Sequence, residues 1–375
     1  MRRGEIVIAG VGQTAFGKHP GRTSVGLNVE ACAAALADAR VDKELVDAVW
    51  AKVPTSRLEF LYGMKVAAAL GIAPAGGGTL DLGGASNIAM IAQAGLAIAA
   101  GQQRFALVTR ADTPRSGSRA AYERPQGDAA PYGFAGIAAG YALIARAYLE
   151  AHGLSEATLG AVAKACRRHG AANPAAQLRA PITLADHAAS PPIVDPLHRD
   201  DCALVSDGAS AVVVMAAEDA RALGVPAPIP ILGVGQGHTA FDLPQRTTLT
   251  ETAAAGSGAR ALAMAGIGPG HVDVAQLYDC FSITPLITLE DYGFCGRGDA
   301  GAFVAGGGVE HGGHLPINTS GGLLSECGLP GMQLVVEGVR QLRGASVNQV
   351  PDAGICLVSG QGGVMHTHAT LVLGG

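Results

Sequence analysis

Short β-branched runs closed by glycine recur along the chain, each followed by an alanine-rich stretch. Ile6-Val7-Ile8-Ala9 breaks at Gly10-Val11-Gly12-Gln13, and Pro230-Ile231-Leu232 breaks at Gly233-Val234-Gly235-Gln236. A brief apolar run ending in Gly-x-Gly predicts a buried strand and a turn. Helical stretches follow at Val29 to Ala39 and Gly258 to Ala265. After them come Val46-Asp47-Ala48-Val49-Trp50 and Val272-Asp273-Val274-Ala275-Gln276-Leu277. The offset from Gly10 to Gly233 is 223 positions and from Asp47 to Asp273 is 226. A third pair extends the series. Gly83-Gly84 precedes a helix and the strand Phe105 to Val108, and Gly321-Gly322 precedes a helix and the strand Ile355 to Val358. Alternating strands and helices predict an α/β fold, and their ordered recurrence predicts two similar halves, residues 1–225 and 226–375. From about 113 to 196 prolines interrupt the pattern, with helical pieces at Ala138 to His152 and Ser155 to His169. This segment reads as an excursion from the first half, of the kind that covers a site.

Composition narrows the function. Hydrophobic residues make up 49% of the 375 positions and charged residues 15%, enough for an extensive core. Aromatics are only 4% while glycine numbers 54, so close approach of backbones does much of the packing. A net charge of −5 offers no footprint for nucleic acid. The apolar run after Met1-Arg2-Arg3 is too short for a signal peptide, and Ile88 to Ala100, with Gln93 inside it, is too short to span a membrane. Seven cysteines without a C-x-x-C pair point to a reduced, cytoplasmic setting with neither disulfide framework nor metal site.

The Gly-x-Gly turns lack the third glycine and the acidic residue of a dinucleotide fingerprint. No phosphate loop ending in Lys-Ser or Lys-Thr and no Gly-x-Ser-x-Gly elbow occurs. Four other segments carry candidate chemistry. They are Ser206-Asp207-Gly208-Ala209-Ser210-Ala211, Tyr278-Asp279-Cys280-Phe281, Asn318-Thr319-Ser320-Gly321-Gly322 and Cys356-Leu357-Val358-Ser359-Gly360-Gln361-Gly362-Gly363. His366 and His368 open the last strand two positions apart, which places both on one face. His311 and His314 lie in a glycine-rich stretch and read as surface residues.

In order and content these segments resemble the thiolase superfamily, especially the branch similar to the sterol-carrier-protein thiolases. The resemblance covers essentially the whole chain. It implies two βαβαβαββ halves and a loop domain that receives coenzyme A. It also implies C–C bond chemistry beside a coenzyme A thioester, with coenzyme A as part of the substrate and no bound cofactor. In the family the nucleophile is a cysteine at the start of the helix after the third strand. Here that place falls on Gly84, with Ser86 two residues on. Ser86 is either a replacement nucleophile or a helix N-cap. The family's Asn-Glu-Ala-Phe motif matches Tyr278-Asp279-Cys280-Phe281. Its Gly-His-Pro motif falls on Cys327-Gly328-Leu329 without the histidine, and its distal acid/base cysteine matches Cys356. His368 matches a His-Ala-Thr-Leu pattern of the branch.

Retro-aldol cleavage of a β-hydroxyacyl thioester needs no acyl-enzyme, only a base and donors for the enolate. An aldolase branch of the superfamily uses tyrosines, one in the motif of Tyr278 and a second near Gly328; this chain has none at the latter. Tyr278, Cys356, His366, His368 and Ser86 are therefore the candidate catalytic side chains. Ser320, Gly321, Gly322, Gly360 and Gly362 are the candidate coenzyme A contacts. Tyr278, Ser320 and Cys356 are expected to surround one thioester. The rival readings are thiolytic acyl transfer and a non-catalytic acyl-CoA-binding subunit. The resemblance also implies a homodimer, and a hetero-oligomer with a small zinc-ribbon and OB-fold protein.

Overall fold

Both Gly-x-Gly sequences lie within strands rather than at the expected turns, and they let a helix touch the sheet. In the computed structural model, a side chain at Gly10 or Gly12 would meet the carbonyl oxygens of Ala35 and Ala31 at 2.3 and 2.2 Å. These belong to the helix Ser24–Ala39, packed on strand β1, Ile6–Gln13. In the second half, a Cβ at Gly233 or Gly235 would meet the carbonyl oxygens of Ala261 and Ser257 at 2.0 and 1.9 Å. The same device thus recurs between strand Ile229–His238 and helix Ala254–Ala265. Backbone contact at this range is open only to glycine.

The structure describes residues 1–120, 131, 134, 136–329 and 331–375. The remaining strands are β2 (Ala48–Lys52), β3 (Gly76–Thr79), β4 (Phe105–Asp112), β5 (Pro192–Val194), β6 (Leu197–His198), β7 (Gly208–Ala216), β8 (Ile229–His238), β9 (Val274–Gln276), β10 (Ile355–Gly362) and β11 (Thr367–Gly374). Eight of these and β1 form one sheet in the order β3-β2-β4-β7-β1-β8-β11-β10-β9; β5 and β6 form a separate pair. Read outward from the antiparallel β1–β8 seam, one side runs β1, β7, β4, β2, β3. The other runs β8, β11, β10, β9, then a parallel bridge from Ala275 to Ile317. The two sides have the same order and the same parallel and antiparallel pairings.

Two helices, Ser86–Ala99 and Met332–Leu342, touch strands of both sides. The second is buried nearly all round, and the first is enclosed over its opening turns while Gln93, Leu96 and Ala99 reach the surface further on. Ser86 to Ile91 and Met332 to Val339 contain no exposed position. A helix enclosed this way lies inside a layered core, not on its surface. The Pro-punctuated excursion supplies the helices Gly136–His152 and Ala157–Ala172. Pro125, read as one of its markers, lies outside the described residues. Among the described residues no helix is long and apolar enough to cross a membrane.

Candidate active site

Tyr278 occupies the space that a side chain at position 84 would need. A Cβ on Gly84 would lie 2.3 Å from the Tyr278 Cε2 and 2.4 Å from its hydroxyl oxygen. Gly84 stands in the turn that enters the Ser86–Ala99 helix, where amide N–H groups are left without helical partners. Tyr278 follows strand β9, and its backbone N–H donates to the Ser359 hydroxyl at 2.9 Å. Gly331 packs against the same ring atom, where a Cβ would sit 3.1 Å from Cε2. The two departures from the family pattern, no cysteine at 84 and tyrosine at 278, are one steric event.

A cavity of about 310 Å³ opens over this contact, lined by Gly83, Gly84, Tyr278, Gly328, Gly362 and Gly363 among others. Tyr141, from the excursion's first helix, faces it as well. Its hydroxyl donates to the Gly363 carbonyl at 2.7 Å and accepts from Gln361 Nε2 at 3.0 Å. Its ring stacks on Phe281 with centroids 4.4 Å apart. Burial raises the Tyr141 phenol well above its ordinary pKa, so it stays protonated and serves as a binder. Nothing in the helical period marks Tyr141 as more than a core residue, so sequence reasoning missed it. The position near Gly328, where the resemblance implies a second tyrosine, is closed by backbone. A Cβ there would lie 1.4 Å from the Leu204 carbonyl oxygen.

The remaining candidates separate. Gly362 lines the cavity, and Gly360 backs it, facing the Gly84 carbonyl. Ser86 is fully buried. Its hydroxyl donates to Gly83 O and accepts from Leu82 N–H, each at 2.7 Å. It ties the turn together and is neither a nucleophile facing the cavity nor the N-cap, a place taken by Ala85. Cys356 is fully buried near the start of β10, against Glu337 and Gly338. Burial, and secondarily Glu337, pushes its thiol above the ordinary range. This corrects the match to an acid/base cysteine. The end of β10 that reaches the site carries Ser359, Gln361 and Gly362 instead.

Ser320 is also buried away from the cavity, and its hydroxyl donates to Glu326 at 2.7 Å. The loop's amides are spent on Asp279, which accepts from Leu323 N–H at 2.8 Å and Leu324 N–H at 3.2 Å. A Cβ on Gly322 would meet the same carboxylate at 2.2 Å, and one on Gly321 would meet Gly170 at 2.8 Å. This loop therefore organises Asp279 rather than presenting free amides to a ligand. Of Tyr278, Ser320 and Cys356, only Tyr278 lines the cavity.

The histidines do not face it either. His366 precedes β11, stacks on Phe241 at 4.7 Å and accepts the Val364 N–H through Nδ1 at 2.7 Å. It borders a second cavity beside Ile137, which the two cavities share. His368 is 1% exposed, and both ring nitrogens lack a partner among the described residues. Burial, then the Arg246 charge, lowers its pKa to about 3. An unfolded histidine titrates near ~6.5. Between these values the unfolded chain gains a proton that the folded one refuses, so stability falls as pH falls. His368→Phe should flatten that acid limb, by up to about 1.4 kcal/mol per pH unit. Urea melts from neutral pH downward check this; an unchanged limb would refute it. Among the described residues no group of three or more His, Cys, Asp or Glu stands ready for a metal.

The chain is similar to known proteins along nearly its whole length. Residues 235–375 match the thiolase C-terminal domain-like family. The chain is 37% identical to a 17-hydroxy-3-oxo-4-pregnene-20-carboxyl-CoA lyase of Mycobacterium tuberculosis, over 97% of this chain and 98% of that one. It is 37% identical to a steroid side-chain-cleaving aldolase of Thermomonospora curvata, covering 96% of each. The solved Ltp2-ChsH2(DUF35) aldolase superposes with a TM-score of 0.90 at 36% identity, covering all of this chain and 98% of that one. The chain belongs to the thiolase superfamily, in its sterol-carrier-protein-thiolase-like branch.

Proposed function

We propose that this chain is a lyase that cleaves the Cα–Cβ bond of a β-hydroxyacyl-CoA by retro-aldol chemistry, on a bulky acyl group of the steroid type. The observation that carries the reading is the Tyr278 ring standing where a side chain at Gly84 would be. An acyl-enzyme has no cysteine to form on at that turn, while a phenol stands ready to move a proton. The identity to two steroid-cleaving lyases supports the acyl class.

Tyr278, as its phenolate, takes the proton of the substrate's β-hydroxyl and becomes the neutral phenol. The O–H electron pair becomes the new carbonyl bond, and the Cα–Cβ pair moves into the thioester enolate. The Gly84 backbone and the Gly362-Gly363 end of β10 line the cavity and are assigned to the enolate oxygen, while the N–H groups of Gly83, Ala85 and Ser86 are held by Asp81, Leu82 and Gly83. Returning the proton to Cα completes the cycle. Tyr141 and Gln361 form a hydrogen-bonded wall that orients the acyl group. Coenzyme A enters as part of the substrate. The match to a two-component aldolase supports a hetero-complex, for which we propose a homodimer of this chain with a zinc-ribbon and OB-fold partner.

A panel of β-hydroxyacyl-CoA and β-ketoacyl-CoA substrates, given to the chain with and without its partner, tests the reading. Carbonyl product and a shortened acyl-CoA should form from the hydroxy substrates without consumption of free coenzyme A. Coenzyme A-dependent cleavage of the keto substrates would refute it. Binding without turnover in every arm would leave an acyl-CoA-binding subunit.

A further inference from the structure

We propose that Lys52, held by Asp81, is the proton acceptor that lets the Tyr278 phenol work as a base; the proposal rests on the lyase reading above. Lys52 ends strand β2, and its side chain is 3% exposed. Its ammonium lies 2.8 Å from Asp81 Oδ1 and donates to the Val53 carbonyl at 3.1 Å. The same Asp81 oxygen accepts the Gly83 N–H at 2.9 Å. Gly83 is followed by Gly84, the residue whose Cβ position lies 2.4 Å from the Tyr278 hydroxyl. The ammonium and the phenol therefore flank one turn, and both line the same cavity. A buried lysine at the mouth of a reaction cavity is costly unless it has work to do there.

The surroundings make its proton easy to lose. Arg110, on β4, is also buried and lines the cavity, adding a second cation to the wall. Its Nη2 stands 3.5 Å from Asp112, a long contact. Asp112 is occupied by the N–H groups of Thr55, Ser56 and Thr113 and by the Thr55 hydroxyl. Nε and Nη1 of Arg110 have no partner among the described residues. Burial and then Arg110 lower the Lys52 pKa to about 8, against the pull of Asp81 and Asp112. A lysine near 8 exchanges protons at working pH, whereas an unaided phenol titrates near ~10.

The step balances. The phenol gives its proton to the Lys52 amine, and the phenolate takes the proton of the β-hydroxyl. The Cα–Cβ pair passes to the enolate, and the ammonium returns its proton through the phenol to Cα. Nothing is oxidised or reduced, and the enzyme ends as it began. Lys52 acts through Tyr278 and is a positioning and relay residue.

The test is the pH profile of kcat and KM for the complete enzyme on a β-hydroxyacyl-CoA that it cleaves, from about pH 6 to 10. The wild type should show a rising limb near 8. Lys52→Met should lose kcat by roughly ten- to hundred-fold, keep KM within about twofold and move the limb towards ~10. Lys52→Arg keeps the charge but cannot accept a proton, and should lose as much. Asp81→Asn should move the limb below its wild-type position, because the anion that favours the ammonium is gone. The Asp81 side chain is 54% exposed, so Lys52→Met leaves a carboxylate that water can reach, and thermal melting checks the fold. A Lys52→Met enzyme with the wild-type rate and limb overturns the proposal, as does full rescue by Lys52→Arg. A wild type that cleaves no β-hydroxyacyl thioester fails one step earlier: the lyase reading goes, and the relay with it.

Discussion

Tyr278→Phe should lower kcat for C–C cleavage by about 10²- to 10⁴-fold, the usual contribution of a positioned proton-transfer group. The substitution removes one oxygen and keeps the ring that fills the space over Gly84. Substrate binding and stability should therefore hold, with the melting midpoint moving little. This separation matters, because Tyr278 is 6% exposed and sits among core side chains, so a larger truncation would confuse packing with chemistry. Steady-state kinetics beside a thermal melt distinguish the two. A Tyr278→Phe enzyme with near-normal turnover would remove the phenol from the mechanism and leave the cavity as a binding site only.

The second large effect is a steric coupling. Gly84→Ala in the natural background should destabilise the fold by about 1–3 kcal/mol, the range for overpacking a filled core. The new Cβ would start 2.3 Å from the Tyr278 ring, whose Cε2 Gly331 also approaches. Gly84 lies outside the left-handed backbone region, so ring overlap is the expected source of the cost. In a Tyr278→Asn background the ring is gone and Gly84→Ala should become nearly neutral. A double-mutant cycle by urea unfolding should yield about 1–3 kcal/mol of coupling between the two positions. Additive effects would mean that the glycine and the tyrosine are independent. The same contact explains why Gly84→Cys alone should not produce a thiolytic enzyme, since the thiol has no room beside the phenol.

Strand–glycine–helix order was legible in the chain because each half repeats it, and because Gly10, Gly12, Gly233 and Gly235 are required wherever a helix backbone meets a strand. Local pattern also singled out Tyr278 and the glycine end of β10, which line the cavity. It misplaced the residues whose role depends on what faces them. Cys356 and Ser320 belong to motifs of the right kind, yet one lies too early in its strand and the other turns to Glu326. His366 and His368 share an alternation, but the strand begins at Thr367, and neither ring reaches the main cavity. Ser86 had two readings from sequence and satisfies neither, because its hydroxyl closes the Leu82–Gly83 turn.

What the sequence by itself determined is the class of fold, the duplicated order of elements and the absence of a cysteine at the helix entry. Those are properties of neighbours along the chain, governed by period, by glycine and by side-chain type. Which groups meet at the cavity was decided only by tertiary structure. Tyr141 arrives from the excursion, Lys52 from β2, Gln361 from β10 and Tyr278 from the end of β9. They converge because buried helices bind the two sides of the sheet together, a contact among residues far apart in sequence that no local pattern records.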